Sequence, residues 1–383
     1  MQSDRRGHLV ELQSIRGVAA MVVVVQHSSN VYDGAPGWWL TVFAIINSRA
    51  AVSLFFVLSG YVLTRMLEGQ PFTLNAHFEF WLRRAFRIYP ALVAVTIVSL
   101  CYAIFYRQYH LGLGNWFQHY FAVERQSYLL IALAFAGISA HVVPQVWTVA
   151  VELVASILMP GAAWYAARQS KAFSLLLIVS LVIGFSVGRD TPYSVMLFLP
   201  FFAVGIWIFF LPSRIRVILR NIPAPQWWFG LAVAGLFGSC ALPIPDVLQM
   251  LEELGCITFI LVMLIHGQLN IMLLRHPRME WLGNLSYSLY LVHFLAVCGI
   301  ASVVVPIQQH FGLSYVFISL VTIATTIIIA LPLAAACRRW IELPGNTSGK
   351  NLAIWLRQYQ ALRPVRSPKG QHMSDWKTKQ TFS

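Results

Sequence analysis

The sequence predicts an all-α fold: a polytopic membrane helix bundle of about ten transmembrane helices with both termini in the cytoplasm. Three observations predict it. The 383 residues are 58% hydrophobic and only 11% charged, against roughly 45–50% and about 25% in soluble domains. So few charges cannot cover a soluble protein of this size. The apolar residues gather into stretches of about 20, the length that crosses a hydrocarbon core of about 30 Å. Lys and Arg cluster between alternate stretches, the bias that orients membrane helices. Together these exclude a cytosolic globular enzyme, a disordered chain and a nucleic-acid-binding domain.

The candidate spans run over 14–32, 44–66, 86–106, 144–167, 172–188, 193–211, 227–243, 250–268, 283–306 and 314–336. The first follows Arg5 and Arg6 and reads as a retained span, because no small-residue cleavage site follows Val18–Val25 and Gln26 and His27 continue the helix. The apolar stretch 127–140 is too short for a span and suits a re-entrant or interfacial segment. If it does not cross, Arg5/Arg6, Arg83/Arg84/Arg87, Arg168/Lys171, Arg214/Arg216/Arg220, Arg275/Arg278 and Arg338/Arg339 all fall on the side of the N-terminus. If it crosses, every later cluster moves to the other side.

The membrane-embedded domain is placed at 1–345 and a cytoplasmic tail at 346–383. Of the formal net charge of +13, nine Lys/Arg against two Asp/Glu lie between Arg338 and Ser383, as expected of a flank drawn to anionic lipid. Leu352, Trp355, Leu356, Tyr359 and Leu362 recur at helical spacing, predicting a basic amphipathic helix on the inner leaflet. Disorder is expected from Pro364 on. The five cysteines lie in or beside apolar runs without CxxC spacing, which predicts neither a disulfide framework nor a metal site. No internal repeat of the kind many transporters carry is apparent.

Ionisable side chains inside spans are costly and mark function. Arg16 and His27 lie eleven residues apart on span one, close to three full turns and about 16 Å along the axis, so they share a face. A deep neutral imidazole can take a proton from a hydroxyl; it can equally be a core histidine bonded to a carbonyl. Arg84 and Arg87, at i and i+3, set guanidinium forks at the mouth of span three. There they can bind phosphate or simply snorkel and fix topology. Glu152 in span four needs a partner or a proton; Arg16, Arg49, Arg87 and His27 are the candidates. Ser286, Tyr290 and His293 fall at i, i+4 and i+7 and form one polar stripe, which suits either substrate contact or helix–helix adhesion.

These residues sit in five ordered blocks: Leu12-Gln13-Ser14-Ile15-Arg16-Gly17 with His27; Val52-Ser53-Leu54-Phe55-Phe56-Val57-Leu58-Ser59-Gly60-Tyr61; Arg84-Ala85-Phe86-Arg87-Ile88-Tyr89-Pro90; Trp147 through Glu152; and Trp281-Leu282-Gly283 with Ser286 through His293. The series, over about residues 9–345, resembles the acyltransferase family 3 membrane proteins, the O-acetylation and nodulation-factor modifying enzymes of bacterial inner membranes. The resemblance implies transfer of an acyl group, usually acetyl, from cytoplasmic acyl-CoA to a hydroxyl of a cell-surface or lipid-linked carbohydrate. It implies His27 as base or acyl relay with Glu152 beside it in catalysis, and Arg16, Arg84 and Arg87 at the acyl-CoA. Ser53, Trp147, Ser286, Tyr290 and His293 would line the substrate pore. No metal is implied, and no esterase-like domain is expected after the last span.

Two departures stand out. Ser53 occupies a place where many relatives carry an acidic residue, so Glu152 or a carbonyl would have to orient His27. Leu153-Val154-Ala155-Ser156 replaces the usual acidic or aromatic continuation after Glu152. The other functional class compatible with these residues is a transporter or flippase for an anionic or glycan substrate, with the arginines as an entry patch.

Overall fold

The computed structural model describes residues 2–29, 31, 34–109, 127–140, 142–187, 194–238, 244–267, 269 and 271–361, which form helices and turns without any strand among them. In chain order the helices are α1 Gln2–Ser29, α2 Gly37–Ala44, α3 Ser48–Leu67, α4 Leu74–Tyr109, α5 Tyr128–Phe135, α6 Val146–Arg168, α7 Ser170–Val187, α8 Ser194–Phe209, α9 Ser213–Arg220, α10 Pro225–Gly238, α11 Asp246–His266, α12 Pro277–Phe311, α13 Tyr315–Cys337 and α14 Leu343–Ala361. A 3₁₀ turn, Met272–Arg275, precedes α12, and a π-helical turn, Arg338–Glu342, joins α13 to α14.

Among the described residues six helical stretches are long and apolar enough to cross a membrane: Gly37–Leu67, Leu74–Phe105, Val146–Arg168, Asp246–His266, Pro277–Phe311 and Tyr315–Tyr359. Leu197–Phe209 and Ser213–Arg220, bent by 83°, make a seventh if taken as one span. The other predicted spans are weaker by this measure for visible reasons. Helix α1 carries Arg5, Arg6, Glu11 and Arg16, Ser170–Ser186 is shorter, and α10 has 14 residues.

Local chemistry sets the helix ends. Asn47 caps α3 by accepting from the Ala50 amide at 2.9 Å, and the Ser314 hydroxyl accepts from the Phe317 amide at 3.3 Å to start α13. Gly312, at φ +59°, ends α12 in the left-handed conformation that spares glycine a Cβ clash.

Packing fixes helix directions. Gln13 Nε2 donates to the Gly283 carbonyl at 2.8 Å, and His27 meets His293, so α1 and α12 run parallel. Phe56 packs against Phe198, Gly60 abuts Phe202 and Tyr61 packs against Phe209, so α3 and α8 also run parallel. Helices α4 and α6 are antiparallel, because Trp81 and Arg84 reach Ser156 while Tyr89 reaches the Ala136 carbonyl ahead of α6. The chain therefore leaves α4 and enters α6 at one end of the bundle. Helix α5 between them has eight residues, about 12 Å of rise, too short to cross.

Two larger cores result. One gathers Val57, Phe202 and Leu261 from α3, α8 and α11. The other gathers Val24, Leu92, Val149 and Leu289 from α1, α4, α6 and α12. The predicted amphipathic positions Leu352, Trp355, Leu356 and Tyr359 fall in the second half of α14, which packs along α4; Leu362 lies outside the described residues. Gly349 approaches Phe86 closely, and Arg357 pairs with Glu79. Cys101, Cys256, Cys298 and Cys337 are free. Cys240, and the tail from Pro364 on for which disorder was expected, lie outside the described residues.

Candidate active site

Two polar centres form along α1, one around His27 and one around Arg16. The parallel packing of α1 on α12 requires close backbone approach, supplied where Gly17 faces Gly283: a Cβ on Gly283 would lie 2.0 Å from the Gln13 carbonyl oxygen. That contact sets the register in which the later turns of the two helices meet.

At the first centre, His27 Nδ1 lies 2.9 Å from His293 Nε2. The rings stack at 5.1 Å between centroids with 24° between planes, and Phe294 stands edge-on to His27. His293 is fully buried. Its Nδ1–H donates to the Tyr290 carbonyl at 2.7 Å, one turn back on α12. The Tyr290 ring lies 5.7 Å from that of His293, and its hydroxyl is 3.0 Å from that of Thr148 on α6. Gln145, just before α6, donates to the Leu291 carbonyl at 2.7 Å, locking α6 to the same turn of α12.

At the second centre, Arg84 on α4 is buried, ion-pairs with Glu152 on α6, and donates through Nε to the Ser156 hydroxyl at 3.2 Å. The Ser156 hydroxyl in turn donates to the Glu152 carbonyl at 2.6 Å. The partner of Glu152 is thus Arg84, from outside the four candidates considered, because the antiparallel pairing of α4 and α6 sets Arg84 against Glu152 and Ser156, which stand one turn apart on α6.

Arg16, Arg87 and Glu152 share a cavity of about 60 Å³ with Thr148, Ser286, Tyr287 and Tyr290 among its walls. Arg16, Arg87, Ser286 and Tyr287 are also walls of an adjoining cavity of about 390 Å³, closed elsewhere by Gln13, Asn284, Arg338, Glu342 and Asn346. Among the described residues no carboxylate lies within ion-pair distance of Arg16 or Arg87. Each guanidinium therefore keeps its donors for a ligand, and five planar N–H groups suit a phosphate. Glu342, in the π turn, accepts from the Ser288 hydroxyl at 2.6 Å and closes the wall behind them. Tyr287 donates to the Ile88 carbonyl at 2.7 Å.

Tyr290 joins the two centres: it lines the arginine cavity and packs against His293. A ligand with an anionic head at Arg16 and Arg87 and an arm of about 16 Å would bring its far end level with His27.

The structure sorts the predicted residues. Arg16, Arg87, Glu152, Ser286 and Tyr290 share the smaller cavity. His27 and His293 pair with each other. Arg84 stands behind the cavity, its fork taken up by Glu152 and Ser156. Ser53 is buried on α3, and Trp147 packs against Phe56 and Phe198; neither lines either cavity. Sequence reasoning missed Thr148, Ser156, Arg338 and Glu342. Glu342 left a signal, as a lone acid directly after the last apolar run. Among the described residues no group of three His, Cys, Asp or Glu is placed to hold a metal ion.

A family described as an acyltransferase domain matches residues 9–334. The O-acetyl transferase of Shigella phage Sf6 is 30% identical over 194 residues, 48% of this chain and 56% of that protein. Peptidoglycan O-acetyltransferase OatA of Listeria monocytogenes is 27% identical over 106 residues, 26% of this chain and 15% of that protein. The chain thus spans about half the length of the first relative and a small part of the second. No solved structure matches.

Proposed function

This chain belongs to the acyltransferase family whose domain covers residues 9–334, and from that premise we propose that it is a multi-pass O-acyltransferase of the bacterial inner membrane. It moves an acyl group, acetyl in the first instance, from cytoplasmic acyl-CoA to a hydroxyl of a cell-surface or lipid-linked carbohydrate. The carrying observation is one polar tract: two guanidiniums, Arg16 midway along α1 and Arg87 of α4, with no ion-pair partner among the described residues, and a paired histidine about three turns further along α1.

In this reading Arg16 and Arg87 bind the phosphates of the CoA, with Arg84 and Glu152 bracing the wall that holds Arg87. Tyr290 and Ser286 guide the pantetheine arm toward His27. The acceptor hydroxyl gives its proton to His27 as its oxygen attacks the thioester carbonyl. As the tetrahedral intermediate collapses, the C–S bond breaks and His27 returns the proton to the thiolate, so the step is balanced in atoms and charge. Glu152 contributes through Arg84 rather than by touching His27.

The names of the two relatives support acetyl as the group carried. The basic ends at Arg84, Arg168, Arg214, Arg275 and Arg338 support ten passes with both termini cytoplasmic. The basic residues after Arg338 then face anionic lipid on the same side.

The test is release of CoA from labelled acetyl-CoA by the purified protein, with and without His27→Ala. A fall of about 10²-fold or more is expected, with unchanged yield and thermal midpoint. Full turnover in the variant would overturn the assignment of His27. Movement of a glycan across vesicles with no CoA release would identify a transporter instead.

A further inference from the structure

We propose that Arg338 reads the 3′-phosphate of the acyl-CoA nucleotide, which makes it a specificity-determining residue for the donor. The larger cavity is then the seat of a nucleoside bisphosphate. The inference rests on the proposed acyl-CoA donor, and it comes from the order in which guanidiniums meet the path leading away from His27.

The two cavities follow one another along that path. The smaller is walled by Tyr290, which packs against His293, and by Arg16 and Arg87. The larger shares Arg16 and Arg87 and extends to Val10 and Gln13 of α1, on the side of Arg16 away from His27. Arg338 lines only the larger one. An arm that starts at His27 therefore meets the Arg16–Arg87 pair first and Arg338 after it. Acyl-CoA is built in the same order: thioester, pantetheine arm, 5′-pyrophosphate, then the ribose with its 3′-phosphate. With the pyrophosphate at Arg16 and Arg87, the remaining phosphate falls in the larger cavity, where Arg338 adds a further guanidinium. The volume there, about 390 Å³, lies within the roughly 300–1,000 Å³ of small-molecule sites.

Local structure keeps Arg338 available. It opens the π turn Arg338–Glu342, in which the Leu343 amide donates to the Arg338 carbonyl; such turns often mark functional sites. The wider turn sets Arg338, Glu342, Leu343 and Asn346 together on the cavity wall. Glu342 is engaged by the Ser288 hydroxyl at 2.6 Å. No carboxylate lies within ion-pair distance of Arg338 among the described residues. Its fork therefore keeps its N–H donors for a phosphate. Glu280 on α12 and Asn346 on α14 offer acceptors to the ribose hydroxyl and the base. Arg339, next in sequence, is exposed and lines neither cavity.

The test compares acetyl-CoA with acetyl-dephospho-CoA, which lacks only the 3′-phosphate, as donors for the full-length protein in lipid nanodiscs. Release of the free thiol is the readout. The native protein is expected to show a KM about 10–100-fold higher for the dephospho donor, with kcat within about twofold. Arg338→Gln should raise the KM for acetyl-CoA by the same factor and leave that for acetyl-dephospho-CoA unchanged. Arg339→Gln removes the same charge from the next position and should change neither. An equal rise for both donors in Arg338→Gln, or no rise for acetyl-CoA, would overturn the proposal.

Binding to the native protein supplies the second arm and needs no variant. Adenosine 3′,5′-bisphosphate is expected to displace labelled acetyl-CoA at a concentration about tenfold or more below that needed of adenosine 5′-phosphate. Equal displacement by the two nucleotides would sink this inference and leave the donor reading intact. Absence of any acetyl-CoA binding would overturn both, so the two failures are distinguishable.

Discussion

Arg84 and Glu152 face each other across α4 and α6 with little water to share their charges. The Glu152→Gln variant removes the anionic partner of buried Arg84 and leaves only neutral oxygens to accept from it. Losing one partner of such a pair costs about 3–5 kcal/mol, whereas replacing both with apolar groups of similar volume is often neutral. Glu152→Gln and Arg84→Met are therefore each expected to destabilise the protein by that amount. Arg84→Met combined with Glu152→Met should recover most of it, as read by thermal unfolding in detergent. Additive losses in the double variant would mean the two side chains act independently. Both ionisable residues were legible in the sequence, since a charge in an apolar run announces itself. Their partners were not. Glu152 and Arg84 lie 68 positions apart and His27 and His293 lie 266 apart, and only packing decides which charges meet. Spacing along a helix did correctly set Arg16 and His27 on one face of α1, because one element's geometry suffices for that.

Helix pairs carry the same lesson one scale up. Helix existence followed from apolar length, and the ends at Asn47, Gly312 and Ser314 follow ordinary capping chemistry. The register between helices depended on small residues whose meaning shows only in the packed bundle. Gly60 on α3 and Gly205 on α8 face each other: a Cβ on Gly205 would lie 2.1 Å from the Val57 carbonyl oxygen, and one on Gly60 2.1 Å from that of Phe202. Close backbone approach of this kind is a common way for helices to pack in lipid. Gly60→Ala and Gly205→Ala are each expected to lower stability by about 1–3 kcal/mol through forced separation. The two should be less than additive, because the first shift already relieves the second contact. Gly161→Ala on α6 is the control: a Cβ there meets nothing within 4 Å, so the change should be neutral or slightly stabilising. Equal effects at Gly161 and Gly205 would remove the case for close packing at α3–α8.

At the scale of the whole molecule, the direction of every later helix depends on what the chain does between α4 and α6. The antiparallel contacts from Trp81, Arg84 and Tyr89 bring the chain back into α6 at the end where α4 finished, and α5 is too short to cross. Several basic helix ends then gather at one end of the bundle. Arg275 pairs with Glu11 of α1, Arg357 of α14 pairs with Glu79 of α4, and Arg220 donates to the His266 carbonyl at the close of α11. Membrane insertion keeps such clusters in the cytoplasm. The consequence can be read at one peptide position. A reporter fused after Gln169, between α6 and α7, is expected in the cytoplasm. Green fluorescent protein placed there should fluoresce, and alkaline phosphatase there should be inactive. A fusion after Leu313, between α12 and α13, should give the opposite pair. If 127–140 crossed the membrane, both positions would exchange sides together. Arg16 and Arg87, which precede that stretch, would keep their side while Glu152, Ser286 and Tyr290 exchanged theirs, so the walls of the arginine cavity could not meet as they do.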